Sequence, residues 1–210
     1  MKNFMIMDNE NINEEATSSK RVPHFKAYMT MLVSSFLSLV ASLVLSIDAI
    51  KLAKDADSPL ACNINAVVSC AKVAVSWQSN LLGFPNAFLG LICEAVVITI
   101  AVAGLSGVQF PKNFMRVALS IYGIGLLFAF WLFSQSYLVI KAFCPWCLLV
   151  TISMVTVFGS MFRINALNGA LPLSPERTAK LQQKLLSGWD AVVITGVYSF
   201  IALLLIFKLL

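Results

Sequence analysis

Five apolar runs dominate this chain of 210 residues. They cover roughly residues 27–47, 86–105, 113–140, 144–162 and 190–210. At 1.5 Å of rise per residue, each is long enough to cross a hydrocarbon core about 30 Å thick. Only 12% of the residues are charged and 59% are hydrophobic, whereas soluble domains carry about a quarter charged. The expected fold is an all-α integral membrane protein with five transmembrane helices. The length suits one bundle and leaves no room for a second sizeable domain.

Charge then orients the bundle. The basic residues form no patch of the kind that binds nucleic acid; they sit at the ends of the apolar runs. With the N-terminus inside, the inner segments hold Lys2, Lys20, Arg21, Lys26, Lys112, Arg116, Arg163, Arg177, Lys180 and Lys184. The outer segments hold Lys51, Lys54, Lys72, Lys141 and Lys208. That bias obeys the positive-inside rule, and five spans put the C-terminus outside.

Residues 1–19 are polar and acid-leaning, and the first apolar run is too long for a signal-peptide core. A signal anchor behind a disordered inner tail is expected. The chain therefore divides into a tail (1–26), a four-helix core (27–165) and a C-terminal part (166–210). That last part holds a fifth span and a short amphipathic helix on the inner surface. Ser174-Pro175-Glu176 would start this helix and Gly188 would stop it. Gly104, Gly107, Pro111 and Lys112 are expected to make the turn between the second and third spans. Gly123 and Gly125 in the third would permit close helix contact.

The connection from Asp48 to Pro85 is long and too apolar in its second half to be a floppy loop. Asn65 could cap a short helix with Val67, Val68, Ala71 and Val75 on one face. The expectation is a half-helix lid over the outer end of the bundle.

Four of the five cysteines fall at that outer end. Cys62 and Cys70 lie on the lid, and Cys144 and Cys147 open the fourth span in the run Phe143-Cys144-Pro145-Trp146-Cys147. With Cys144 as N-cap, Pro145 takes the first helical position and Cys147 the third. Both sulfurs then share a face under the positive helix end, which favours thiolate. A purely structural bridge three residues apart would constrain almost no chain, so a redox role is the stronger reading. Cys62 and Cys70 alone would read as a structural clip; beside a Cys-x-x-Cys they read as a relay partner. A four-cysteine zinc site is the metal alternative. Cys93, within the second span, reads as a small packing residue. Neighbouring Glu94 is an intramembrane carboxylate and so a candidate for proton uptake, with pairing to a base such as Arg116 as the alternative. No nucleotide-binding motif is present, so the oxidant must come from the membrane.

Several features together resemble the vitamin K epoxide reductase family. They are the Cys62-x7-Cys70 pair in a long first outer loop, Ser76 after it, Phe84-Pro85-Asn86-Ala87-Phe88-Leu89-Gly90 opening a helix, and Phe143-Cys144-x-x-Cys147 opening another. The resemblance covers roughly residues 28–165. It implies a four-helix bundle around a quinone (ubiquinone, menaquinone or phylloquinone), roofed by the cysteine loop. It points to a bacterial homologue in the cytoplasmic membrane, with the active-site loop outside and no fused thioredoxin-like domain. The partner would then be a separate thioredoxin-like (DsbA-like) thiol protein. Carried over by position, Cys62 would exchange with that partner, Cys70 would pass electrons to Cys144, and Cys147 would face the quinone. Asn86 would donate to a quinone carbonyl; Ser76 would be a second polar contact or help hold the lid.

The implied activity is oxidation of protein thiols at the expense of quinone, supporting disulfide formation in exported proteins. Rival readings are a quinone-epoxide reductase using dithiol electrons, and a structural membrane protein with incidental disulfides. A DsbB-type oxidase would place its Cys-x-x-Cys first in the chain rather than last.

Overall fold

The computed structural model describes residues 24–65 and 67–209; most of the expected 1–26 tail lies outside the described residues. The five apolar runs become α1 (Phe25–Lys54), α3 (Ala87–Leu105), α4 (Lys112–Gln135), α5 (Pro145–Leu167) and α7 (Trp189–Leu209). All five are long and apolar enough to cross a membrane, and the protein is a multi-pass membrane protein. Two short helices, α2 (Cys70–Ala74) and α6 (Pro175–Leu186), accompany them. A 3-10 turn, Trp77–Asn80, follows α2, and a π-helical turn, Ser136–Ile140, ends the third span. No strand forms among the described residues beyond one isolated bridge.

The centre of the bundle is α1, packed against both α3 and α5. Its contact stripe is Ser35, Ser38, Ser42 and Ser46, none more than 3% exposed. Small side chains three or four apart let neighbouring helices approach closely where lipid gives no hydrophobic drive for association. Ser42 packs on Gly90 of α3, where a Cβ would fall 2.3 Å from the serine Oγ. On the far side of α5, α4 seats Phe158 and Met154 against Gly123 and Gly125. By contrast, α3 and α4 make few close backbone approaches and meet through side chains, and α7 leans on the outside of α5.

Two expectations change. Gly104 belongs to α3 rather than to a turn, because it lies under the buried ring of Tyr28. The turn is made by Gly107, at φ +89°. The first span runs on past Ile47 to Lys54, carrying Asp48 into the interior and closing with Lys51 and Lys54 near its negative end.

Alanine at Gly104 tests the α1–α3 seam. Its Cβ would lie 2.3–2.6 Å from three Tyr28 ring atoms. A buried ring cannot yield as a flexible chain end does, so a loss of about 1–3 kcal/mol is expected. It should appear as a lower unfolding midpoint of the detergent-solubilised protein. Gly196→Ala, with nothing within 4 Å of the new Cβ, is the matched control. Equal midpoints for the two would contradict this packing.

An arginine joins both elements of the C-terminal part to α5. Arg163 of α5 donates to the Leu185 carbonyl at the end of α6 and to the Asp190 carboxylate of α7 at 2.6 Å. Ser174 precedes α6 as expected, although its side chain makes no cap bond, and Gly188 ends the segment at φ +85°.

Candidate active site: four cysteines above an apolar cavity

The lid differs from the expected half-helix. Asn65 does not cap a helix; its Oδ1 accepts the Val67 and Val68 amides in a local turn. That turn delivers Val68 to an isolated bridge with Phe143. Ser69 is the true N-cap, accepting from the Lys72 amide, and α2 begins at Cys70. Asn63 Oδ1 braces the cap by accepting from Ser69 Oγ and the Ala71 amide, both at 3.0 Å.

The stretch from Val67 to Ser69 bonds to the residue just before the Cys-x-x-Cys. Ser69 N donates to Phe143 O at 3.0 Å, and Phe143 N donates to Val67 O at 2.7 Å. This parallel bridge holds Cys70 and Cys144 at one level. Phe143 is buried and flanked by the rings of Phe133 and Tyr137.

Cys62 and Cys70 form a disulfide, while Cys144 and Cys147 are free thiols. With two of the four sulfurs bonded to each other, the cluster lacks the four thiolates of a tetrahedral zinc site. The Cys144 sulfur lies 3.1 Å from that of Cys70. Cys144 is the N-cap of α5, with Pro145 in the first turn, and its sulfur accepts the Cys147 amide at 3.4 Å. The Cys144 thiol is pulled below its ordinary range. The chief cause is the hydrogen bond from the Cys147 thiol, and the helix-end amides of Cys147 and Trp146 add to it against the cost of burial. A sulfur that favours thiolate beside a disulfide sulfur is set up for thiol–disulfide exchange. Leu52, Leu60, Val73 and Ala142 pack around the cluster and keep it dry.

Below the cysteines lies an apolar cavity of about 250 Å³, walled by α1, α3, α4 and α5 and roofed by the lid. Cys70 and Cys147 reach its wall; Cys62 and Cys144 do not. Its few polar side chains include Asn86, Glu94, Ser79 and Thr151. A concave apolar space with a few convergent polar groups is the usual form of a small-molecule site.

The other sequence-derived candidates are placed as follows. Asn86 lines the cavity, and its amide nitrogen donates to the Gln78 carbonyl at 2.7 Å. A carbonyl can only accept, so the amide orientation is fixed. Its buried Oδ1 has no partner. Ser76 does not line the cavity: its hydroxyl donates to Val73 O at 2.6 Å and meets Ser79 Oγ. It braces the 3-10 turn, and the serine at the cavity wall is Ser79. Glu94 lines the cavity floor and is 1% exposed. Its partners are Ser38 and Tyr122, whereas Arg116 donates to Ala170 and Asn113. Cys93 is exposed rather than packed inside, and it also borders the cavity.

Asp48, at the polar end of the first apolar run, also belongs to this site. It is 8% exposed, with a carboxylate oxygen 3.9 Å from the Cys62 sulfur. An acid continuing the apolar run, six residues before the helix closes at Lys54, is the sequence signal for it.

A comparison with curated proteins found no match. The sequence model of the vitamin K epoxide reductase family matches residues 29–162, well over half of the chain and the stretch that carries all four clustered cysteines, and the chain belongs to that family.

Proposed function

We propose that this membrane thiol–disulfide oxidoreductase oxidises a separate thioredoxin-like protein and reduces a membrane quinone. The observation that carries the reading is the placement of Cys144, 3.1 Å from Cys70 of the lid disulfide and one helical turn before Cys147 on the cavity wall. Electrons can thus cross from a water-facing loop to a lipid-facing cavity in two exchanges.

The steps balance. A partner dithiol reduces the Cys62–Cys70 disulfide through a mixed disulfide on Cys62, the more exposed of the two sulfurs. Cys70 thiolate then attacks Cys144 in a Cys144–Cys147 disulfide, releasing Cys147 as thiolate. Cys62 attacks Cys70, which restores the lid disulfide and frees Cys144. The Cys144–Cys147 dithiol closes to a disulfide and gives two electrons and two protons to the quinone, which leaves as hydroquinone. A closed lid disulfide beside two free thiols corresponds to the moment before that last step. A quinone about 100 mV above the dithiol drives the sequence by roughly 4–5 kcal/mol.

The loose backbone packing between α3 and α4 suits entry of a lipid-borne molecule with an apolar tail. The basic-residue bias supports an inner-membrane topology with the N-terminus cytoplasmic and the cysteine loop and C-terminus outside. In this reading the core ends near residue 165, and the segment from 166 on is an addition to it.

The test is turnover of the purified protein with dithiothreitol and either a short-chain quinone or its epoxide. Consumption of the quinone, with oxidation of a thioredoxin-like protein, is expected. Consumption of the epoxide alone would replace this reading with epoxide reduction. Turnover of neither would leave a structural membrane protein.

A further inference from the structure

A quinone needs two protons as well as two electrons, and its oxygens lie on opposite sides of the ring. A thiol beside one oxygen cannot reach the other. The cavity carries a second titratable group on its floor. Glu94 lies eight residues beyond Asn86 on α3, about 12 Å further along the axis, and a helical side chain leans back toward the N-terminus. Its carboxyl meets Ser38, one turn deeper than the Ser42–Gly90 contact, at the far end of the cavity from Asn86 and Cys147.

The hydrogen bonds around this carboxyl are one-sided. Ser38 Oγ of α1 donates to Oε1 at 2.9 Å, and Tyr122 Oη of α4 donates to the same oxygen at 2.8 Å. Oε2 is buried and has no partner. Neither ion pair among the described residues involves Glu94; these are Arg163–Asp190 and Lys180–Glu176. A carboxylate facing an apolar membrane interior without a cation is costly. Two hydroxyls on Oε1 make it the carbonyl-like oxygen and leave Oε2 as the place for a proton. The residue that carries it lines the cavity.

We propose that Glu94 is the proton donor to the quinone oxygen remote from Cys147, held in place by Ser38 and Tyr122. The assignment rests on the quinone-reductase reading above. As the Cys144–Cys147 disulfide forms, two electrons enter the ring and the two thiol protons are released. One proton serves the near oxygen. Glu94 gives its Oε2 proton to the far oxygen, and the second thiol proton, relayed through the cavity, restores it. Asn86 Oδ1 and the deprotonated Oε2 are then two unpartnered acceptors on residues lining one cavity, a number that matches the two hydroxyls of the hydroquinone.

The test uses the full-length protein in detergent, reduced by dithiothreitol, with a short-chain benzoquinone and a short-chain naphthoquinone as probes. Glu94→Gln, which keeps the shape and an acceptor for Ser38 and Tyr122, should slow hydroquinone formation about 100-fold. KM for the quinone and the rate at which the Cys62–Cys70 disulfide is reduced should stay near wild type, a split that general damage to the bundle would not produce. On wild-type protein, a hydrophobic carbodiimide, which attacks protonated carboxyls, should label Glu94, and the quinone should protect it. This arm needs no variant to fold.

Full wild-type turnover in Glu94→Gln overturns the assignment, as does an unlabelled Glu94 in folded wild-type protein. A wild-type protein that reduces neither quinone instead fails the function proposed above, and the two failures are thereby distinct.

Discussion

Alanine at Cys147 should abolish dithiol-driven quinone reduction, a loss of roughly a thousandfold or more, as when a covalent nucleophile is removed. The lid disulfide should still form, because Cys62 and Cys70 are bonded without help from α5. The cap geometry should also survive, since the backbone amide of residue 147 donates to Cys144 whatever the side chain. Turnover is read from quinone absorbance, and the lid disulfide by mass spectrometry after alkylation. In cells, disulfide formation in exported proteins should fail with it. Quinone turnover persisting in Cys147→Ala would take this residue out of the reaction and with it the assignment of the cavity.

Removing Cys62 and Cys147 together should trap the link between the two pairs. Each remaining sulfur then has lost its own partner, and Cys70 and Cys144 already stand 3.1 Å apart. Closing to a disulfide bond of about 2.0 Å needs a shift of roughly 1 Å. A Cys70–Cys144 cross-link should form under mild oxidation in nearly every molecule and be absent from the wild type at rest. Non-reducing peptide mapping reads it directly. The Cys70/Cys147 alternative is removed by the same variant, so failure to cross-link would mean that electrons do not pass by this contact.

Much of the fold was legible because its strongest signal is one-dimensional. Hydropathy over about twenty residues marks a span irrespective of its neighbours, and the expected second span ends at Leu105, as α3 does. The N-cap role of Cys144 was also legible, since Pro145 is preorganised for a first helical turn. Short polar segments were not. Asn65 satisfies two amides in a local turn as readily as it could cap a helix, and its choice shifted the start of α2 by several residues. Ser76 and Ser79 look alike in the sequence; a 3-10 turn four residues long decides which one meets the cavity.

The surroundings of Glu94 were the least accessible. Ser38 and Tyr122 lie 56 and 28 residues away, on two other helices. Rotation of three helices about their own axes decides that meeting, and no local pattern encodes it. The serine stripe on α1 has a visible period, but its use as a helix seam depends on which neighbours bring glycine to it.

The loose backbone packing between α3 and α4 has a kinetic consequence in the proposed cycle. A protein thiol reaches the lid from water by three-dimensional diffusion. A lipid-dissolved oxidant reaches the cavity sideways, by two-dimensional diffusion within the leaflet. The two reactants use separate doors and need not be bound together, since the cysteines store the electrons in between. Such an enzyme follows double-displacement kinetics, in which neither reactant competes with the other, and its throughput depends as much on the quinone content of the surrounding membrane as on the supply of thiols outside it.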